Sequence, residues 1–288
     1  MILNASTLIR NRQKDKFFGI DYYANICHGS NKMYNYLSTP LDFFPLANHK
    51  MPSKSSVREK EFIKNIGEFS EQKIFGFFAN PDVYDCHESI QSMIERLKDH
   101  GHGLFIETHS LNLINDMDAL NDFNRSCPLM IGIPVASIKT VDLSIIDQLE
   151  LDKKIDKLVK ALHKAEIPFG FILKPVIPYI NDDTDDFEDL LKSLIDLSPS
   201  FIYPTFSINF DSKKLNQFYD LIDREKSALK SLYFDEYGYK KSWMSPYAEE
   251  LKKTFIFNIK KTKIAYSMKQ IIQLYKDKQQ LSEQISLF

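Results

Sequence analysis

The sequence predicts an α/β fold of parallel strands joined by crossovers, an open or closed α/β barrel, with mostly helical residues toward its C-terminal end. Three observations carry this. Short apolar runs rich in β-branched and aromatic residues alternate with helix-period patterns about six times. One run, LMIGIPVAS (129–137), is apolar throughout, as a strand buried on both faces requires. The intervening helical patterns suit right-handed crossovers between parallel strands. A doubly wound sheet is the alternative, and periodicity does not separate the two.

The elements follow in order. FFGIDYYANI (17–26) reads as the first strand, running into a polar loop. Pro40, Pro45 and Pro52 punctuate the next stretch, and a charged helical pattern follows around Val57 to Ile66. KIFGFFA (73–79) is a strand, and 86–99 a helix with Ile90, Met93, Ile94 and Leu97 on one face. GLFIET (103–108) is a strand, and Leu113, Ile114, Met117 and Leu120 mark a short helix. After the 129–137 strand, Ile155, Leu158, Val159 and Leu162 define a helix. FGFILKPVI (169–177), a helix from Phe187 to Leu197, and FIYPTFSI (201–208) complete the alternation. Helices are expected over 212–232, 244–258 and 264–280. This divides the chain into a barrel (1–210), a helical extension (211–280) and a tail (281–288).

Composition narrows the function classes. Of 288 residues, 43% are hydrophobic, enough for a sizeable core, and the net charge of −2 gives no global pull toward nucleic acid or anionic membrane. Three scattered cysteines, Cys27, Cys86 and Cys127, argue against a disulfide framework and for a reducing compartment. Met1 to Leu8 lacks a secretory apolar run, and no stretch approaches membrane-spanning length. A cytoplasmic protein is expected.

Strand ends carry the chemistry in α/β barrels. That directs attention to DYYANICHGSNKMYNYLST (21–39), to Asn80, to Glu107 and Thr108, and to Ser137, Lys174 and Asn209. Glu107 and His109 could do acid–base work. Strand alternation puts them on one side and Thr108 on the other, and the favoured reading of His109 is a solvated rim histidine. Lys174 is read as an exposed rim lysine before a catalytic one. DVYDCHE (82–88) could imitate a divalent-metal cluster, with helix capping favoured; NDDTDD (181–186) lacks EF-hand spacing and reads as a cap. KKTFIFNIKKTK (252–263) alternates basic and aromatic residues, which suits single-stranded nucleic acid, but in a lysine-rich chain it reads first as an amphipathic surface element. No metal site is expected.

The loop after the first strand resembles the cluster-binding loop of the spore photoproduct lyase-like radical S-adenosylmethionine (radical SAM) family. There a pattern like N-I-Y-x-G-C-x3-C-x-Y-C closes the first strand. Asn25, Ile26, Gly29 and Tyr36 match it. The cysteine positions fall on Ser30, Tyr34 and Leu37; a register anchored on His28 and Gly29 places them on Ile26, Ser30 and Met33. Neither register yields a thiolate, and Cys27 with His28 cannot replace three ligands. FIETHSLNLINDMDAL (105–120) is similar to the family's next motif at Thr108, Ser110, Leu113, Asp116, Asp118 and Leu120, with His109 and Asn115 replacing basic residues. SIKTVD (137–142) and KALHKAEIPFGFILKPVIPYIND (160–182) look like further family segments. The likeness covers roughly residues 17–210 and is strongest over 128–182.

The resemblance implies a TIM-type partial barrel of radical SAM type. It also implies an iron–sulfur cluster whose ligands are missing here, because such clusters need cysteine thiolates. S-adenosylmethionine remains a possible ligand, and Asn25, Gly29, Tyr36, Glu107, Thr108, Ser137 and Lys174 are the candidate pocket residues. The expected function is that of a binding or regulatory pseudoenzyme. The alternative is an active radical SAM enzyme with unconventional ligands and a nucleic-acid-related substrate. QISLF (284–288) resembles the Q-L-S-L-F pentapeptide that docks bacterial DNA-metabolism proteins on the sliding clamp. Gln284 would fix the register and Leu287 and Phe288 fill an apolar pocket; a C-terminal clasp onto the domain is the other reading.

Overall fold

The computed structural model describes residues 8–24, 55–77, 82–85, 87–136, 152–210 and 212–275. Seven strands form one sheet in sequential order: β1 (Leu8–Arg10), β2 (Tyr22–Ala24), β3 (Ile74–Phe77), β4 (Gly103–Glu107), β5 (Leu129–Val135), β6 (Phe169–Leu173) and β7 (Phe201–Pro204). β1 runs antiparallel to β2, and every later pair is parallel. A doubly wound sheet reverses its strand order at a switch point. Among the described strands there is no reversal, so the crossovers all travel one way.

Crossovers of one hand put their helices on one face. These helices are α1 (Ser55–Ile66), α2 (Gln91–Asp99), α3 (Met117–Ser126), α4 (Asp152–Lys164) and α5 (Thr184–Asp196). Their apolar stripes, such as Met93, Ile94 and Leu97 of α2 and Ile155, Leu158, Val159 and Leu162 of α4, join Leu104, Ile106, Ile131, Ile133, Phe171 and Leu173 in one core. The alternate strand positions, Phe105, Met130, Ile172 and Phe201, face the other way. There they meet Phe18 and Ile20 from the N-terminal turn, Tyr23 of β2, and Ile271 and Tyr275 from helical residues 268–275. The sheet is thus covered on both sides, which explains its continuous apolar strands.

Several sequence expectations are corrected. Among the described residues of the 17–26 run, only Tyr22–Ala24 is strand. Phe18 and Gly19 take φ of 50° and 69°, which turns the chain and lays the Phe18 ring on Phe105 at 4.6 Å. The three-residue edge strand β1 is too short to carry a periodic signal. FIYPTFSI splits into β7 and β8 (Ser207–Asn209), and β8 pairs antiparallel with β9 (Ser242–Met244), a strand not expected from the sequence. After β9 comes α8 (Ala248–Ile259); α6 (Ser212–Glu225) and α7 (Ser227–Glu236) precede it. The basic–aromatic stretch at 252–263 ends α8, which buries Leu251, Phe255 and Ile259 and leaves Phe257 exposed beneath the Lys261 ammonium.

One histidine tunes stability to pH. His102 is fully buried; its Nε2 lies 3.1 Å from the Ile66 carbonyl, and the Lys73 N–H reaches Nδ1 at 3.4 Å. Those contacts need a neutral ring with its proton on Nε2, and burial lowers its pKa below the ordinary 6.5. A depressed folded-state pKa gives stability that is present above about pH 6.5 and is lost as pH falls through the folded value. We predict that the urea midpoint falls on acidification below about pH 6.5 more steeply for the wild type than for His102→Gln. Parallel pH profiles of the two proteins would show that this histidine is not responsible.

Candidate functional site

The carboxyl ends of β4, β5 and β6 hold a buried ion pair. Glu107 stands two residues after Phe105, and Lys174 two after Ile172, so both continue the face opposite the crossover helices. The Lys174 N–H extends the ladder to the Val135 carbonyl at 2.8 Å. Pro175 then ends the strand, because proline has no N–H to continue it; the Lys174–Pro175 peptide is cis. β4 and β6 are two strand spacings apart, about 10 Å, with β5 between them. The register partner of Glu107 on β5 is Gly132, and that of Gly132 on β6 is Gly170, so Lys174 lies four residues further along its strand. Lys174 reaches across and donates from Nζ to Glu107 Oε2 at 2.7 Å. The two side chains are 6% and 1% exposed, so water screens the pair little.

This corrects the reading of Lys174 as an exposed rim lysine. Sequence reasoning also missed Gly132. A Cβ there would sit 2.8 Å from the Phe105 ring and 3.0 Å from Ile172. An isolated glycine inside an apolar strand pattern is the signal that could have flagged a close approach.

Thr108 and His109 go elsewhere. β4 ends at Glu107, so strand alternation no longer governs them. Both turn to Asp82, which is fully buried. The Thr108 hydroxyl donates to Asp82 at 2.6 Å, the Tyr84 N–H at 3.0 Å and the His109 N–H at 3.4 Å. His109 Nδ1 also lies 3.7 Å from the same carboxylate, which corrects the solvated-rim reading. The Ser110 N–H in turn donates to Thr108 Oγ1 at 3.0 Å. A second buried carboxylate, Asp116, accepts from the Tyr84 phenol at 2.9 Å, from the Ile90 N–H at 2.7 Å and from the Ser89 hydroxyl. Burial, then the Asp116 charge, pushes the Tyr84 phenol well above the ordinary range, which keeps it a donor.

These carboxylates clasp the turns on either side of β4 and hold the start of α2, so Asp82 and Asp116 act as scaffold. Asp183 does the same for α5, accepting from the Asp185 and Asp186 N–H groups. Among the described residues, no group of three His, Cys, Asp or Glu side chains is placed to hold a metal ion. No described helix is long and apolar enough to cross a membrane.

The other sequence candidates divide by position. Asn209 lies in the small β8–β9 sheet opposite Ser242, away from the parallel strands. Cys127 is buried, with its Sγ 4.0 Å from the Lys98 carbonyl. Asn25, Gly29, Ser30, Tyr34, Tyr36 and Leu37 of the loop lie outside the described residues, as do Cys27, His28, Asn80, Cys86, Ser137 and the tail residues Gln284, Leu287 and Phe288. Comparison with protein-family models, curated proteins and solved structures yields no match to this chain.

Proposed function

We propose that this chain is a radical SAM-like partial barrel that has lost its iron–sulfur cluster and acts as a binding or regulatory protein. The binding face is the carboxyl end of its parallel strands. The observation that carries the reading is the sequential run of parallel strands whose ends present the Glu107–Lys174 pair on one face. The donor chemistry of the preceding loop does not fit a cluster. Ser30, Tyr34 and Leu37 stand where thiolates are needed. Glu107, Thr108 and Lys174 are buried and already engaged, so they form the floor of the face and fix its shape rather than contacting a ligand.

Anaerobic reconstitution with iron and sulfide is expected to leave well under one cluster per chain. About four irons and four sulfides per chain would restore the enzyme reading. Calorimetry with S-adenosylmethionine and S-adenosylhomocysteine then asks whether the cofactor pocket survives cluster loss. Heat from both supports it; heat from neither moves the ligand to a macromolecule. The macromolecule this reading favours is a sliding clamp held by Gln284, Leu287 and Phe288, which would tie the protein to DNA metabolism. Titrating clamp protein with the intact chain and with a chain lacking Leu287 and Phe288 tests that partner. Equal heats from the two would remove it.

A further inference from the structure

α8 carries a basic face that the fold does not use. Its inward side, Leu251, Phe255 and Ile259, packs into the main core. At 3.6 residues per turn, Lys253, Phe257, Lys260 and Lys261 fall on the opposite side. All four are exposed, Phe257 by 64%. The Lys261 ammonium lies 3.5 Å from the centre of the Phe257 ring. Lys253 stands one turn before the ring, and Lys260 nearly one turn after it. Among the described residues, the one ion pair made by a lysine of the 252–263 stretch is Lys252 with Glu249, at 3.9 Å. The lysines around the ring therefore hold charge that no carboxylate neutralises. The acidic residues of this helix, Glu249 and Glu250, sit in its first turn, at the other end.

A single exposed phenylalanine means little by itself. Lysines at the end of a helix also complement its dipole. The dipole accounts for Lys260 and Lys261, but not for Lys253, which lies mid-helix, nor for the ring between them. The combination suits a polyanion that also brings flat groups: bases stack on the ring while phosphates meet the ammonium groups. A duplex keeps its bases stacked inside, so an unpaired strand is the better match. A lipid surface fits less well. Amphipathic helices bind membranes through their apolar face, and that of α8 is turned into the core. An acidic peptide would satisfy the lysines but not the ring.

We propose that the outer face of α8 binds single-stranded nucleic acid, with Phe257 stacking on a base and Lys253, Lys260 and Lys261 pairing with phosphates. The overall charge of −2 is no obstacle, because salt confines the field of the patch to about 10 Å. The site rests on α8 alone and is independent of the function proposed above.

Fluorescence anisotropy of a labelled oligothymidylate, titrated with the full-length protein, tests this. The dissociation constant should lie at about 10⁻⁶–10⁻⁴ M in physiological salt, the usual range of sequence-independent binding. Log affinity should fall with log salt at a slope of about −2, three lysines at roughly −0.7 each. Phe257→Ala should weaken binding by about 5-fold or more, as loss of one base stack does, with the melting temperature unchanged because the ring is exposed. Phe257→Tyr should retain it. Lys253→Gln, Lys260→Gln and Lys261→Gln together should bring the salt slope close to zero. Binding to a duplex of the same length should not depend on Phe257. The proposal is overturned if Phe257→Ala binds the oligothymidylate like the wild type, if the triple variant keeps the slope, or if the duplex loses as much from Phe257→Ala as the single strand. It is equally overturned if phosphatidylserine vesicles or polyglutamate bind through Phe257 and the oligothymidylate does not.

Discussion

Lys174→Met should destabilise the protein by about 3–5 kcal/mol, the usual cost of stranding one partner of a buried ion pair. Methionine keeps most of the lysine's length and apolar stem, so packing changes little and the charge is what is lost. Glu107, 1% exposed, would then hold a carboxylate in the interior without its ammonium partner. For a chain of this size the melting temperature should fall by roughly 6–20 °C. Replacing both residues separates the two contributions. Lys174→Met combined with Glu107→Leu removes the stranded charge and should recover most of the loss, since an apolar pair of similar volume is often neutral or better. A single-variant loss below about 1 kcal/mol would mean that water reaches the pair and that it behaves as a surface salt bridge. The measurement also bears on the proposed binding face, because the pair forms its floor.

Trp243→Ala should cost a similar amount, about 3–5 kcal/mol, for a different reason. Trp243 is fully buried, and the rings of Phe210, Phe218, Tyr233 and Tyr237 lie between 4.7 and 5.4 Å from it. Its indole N–H donates to the Lys240 carbonyl at 2.8 Å, and its strand position pairs with Ile208. Truncation leaves a cavity among rigid rings that cannot close in, so the transfer and cavity contributions both apply. The residue belongs to the same core as Ile202, Phe187 and the crossover helices. The loss should therefore appear in one cooperative melt of the whole chain. Two separated transitions, with only the first shifted, would show that the segment after residue 210 folds as its own unit. Trp243→Phe retains a ring and should lose markedly less.

What the sequence by itself determined is the local pattern. The alternation of apolar strands with 3.6-period helices was legible. So were the faces of α2 and α4 and the fully buried character of the 129–135 run, because burial on one or both faces writes itself into neighbouring residues. Asp183 as a cap was legible too, since capping is a local hydrogen bond. That Ser30, Tyr34 and Leu37 are not cysteines, on which the proposed radical SAM-like reading turns, is a property of the sequence alone. What only the tertiary structure decided depends on contacts between distant positions. Glu107 and Lys174 lie 67 residues apart, and nothing in either neighbourhood announces the other as its partner. Thr108 and His109 follow the end of β4 at Glu107, and both turn to Asp82, 26 residues upstream of Thr108. β1 and β9, three residues each, are strands only because a partner strand lies alongside.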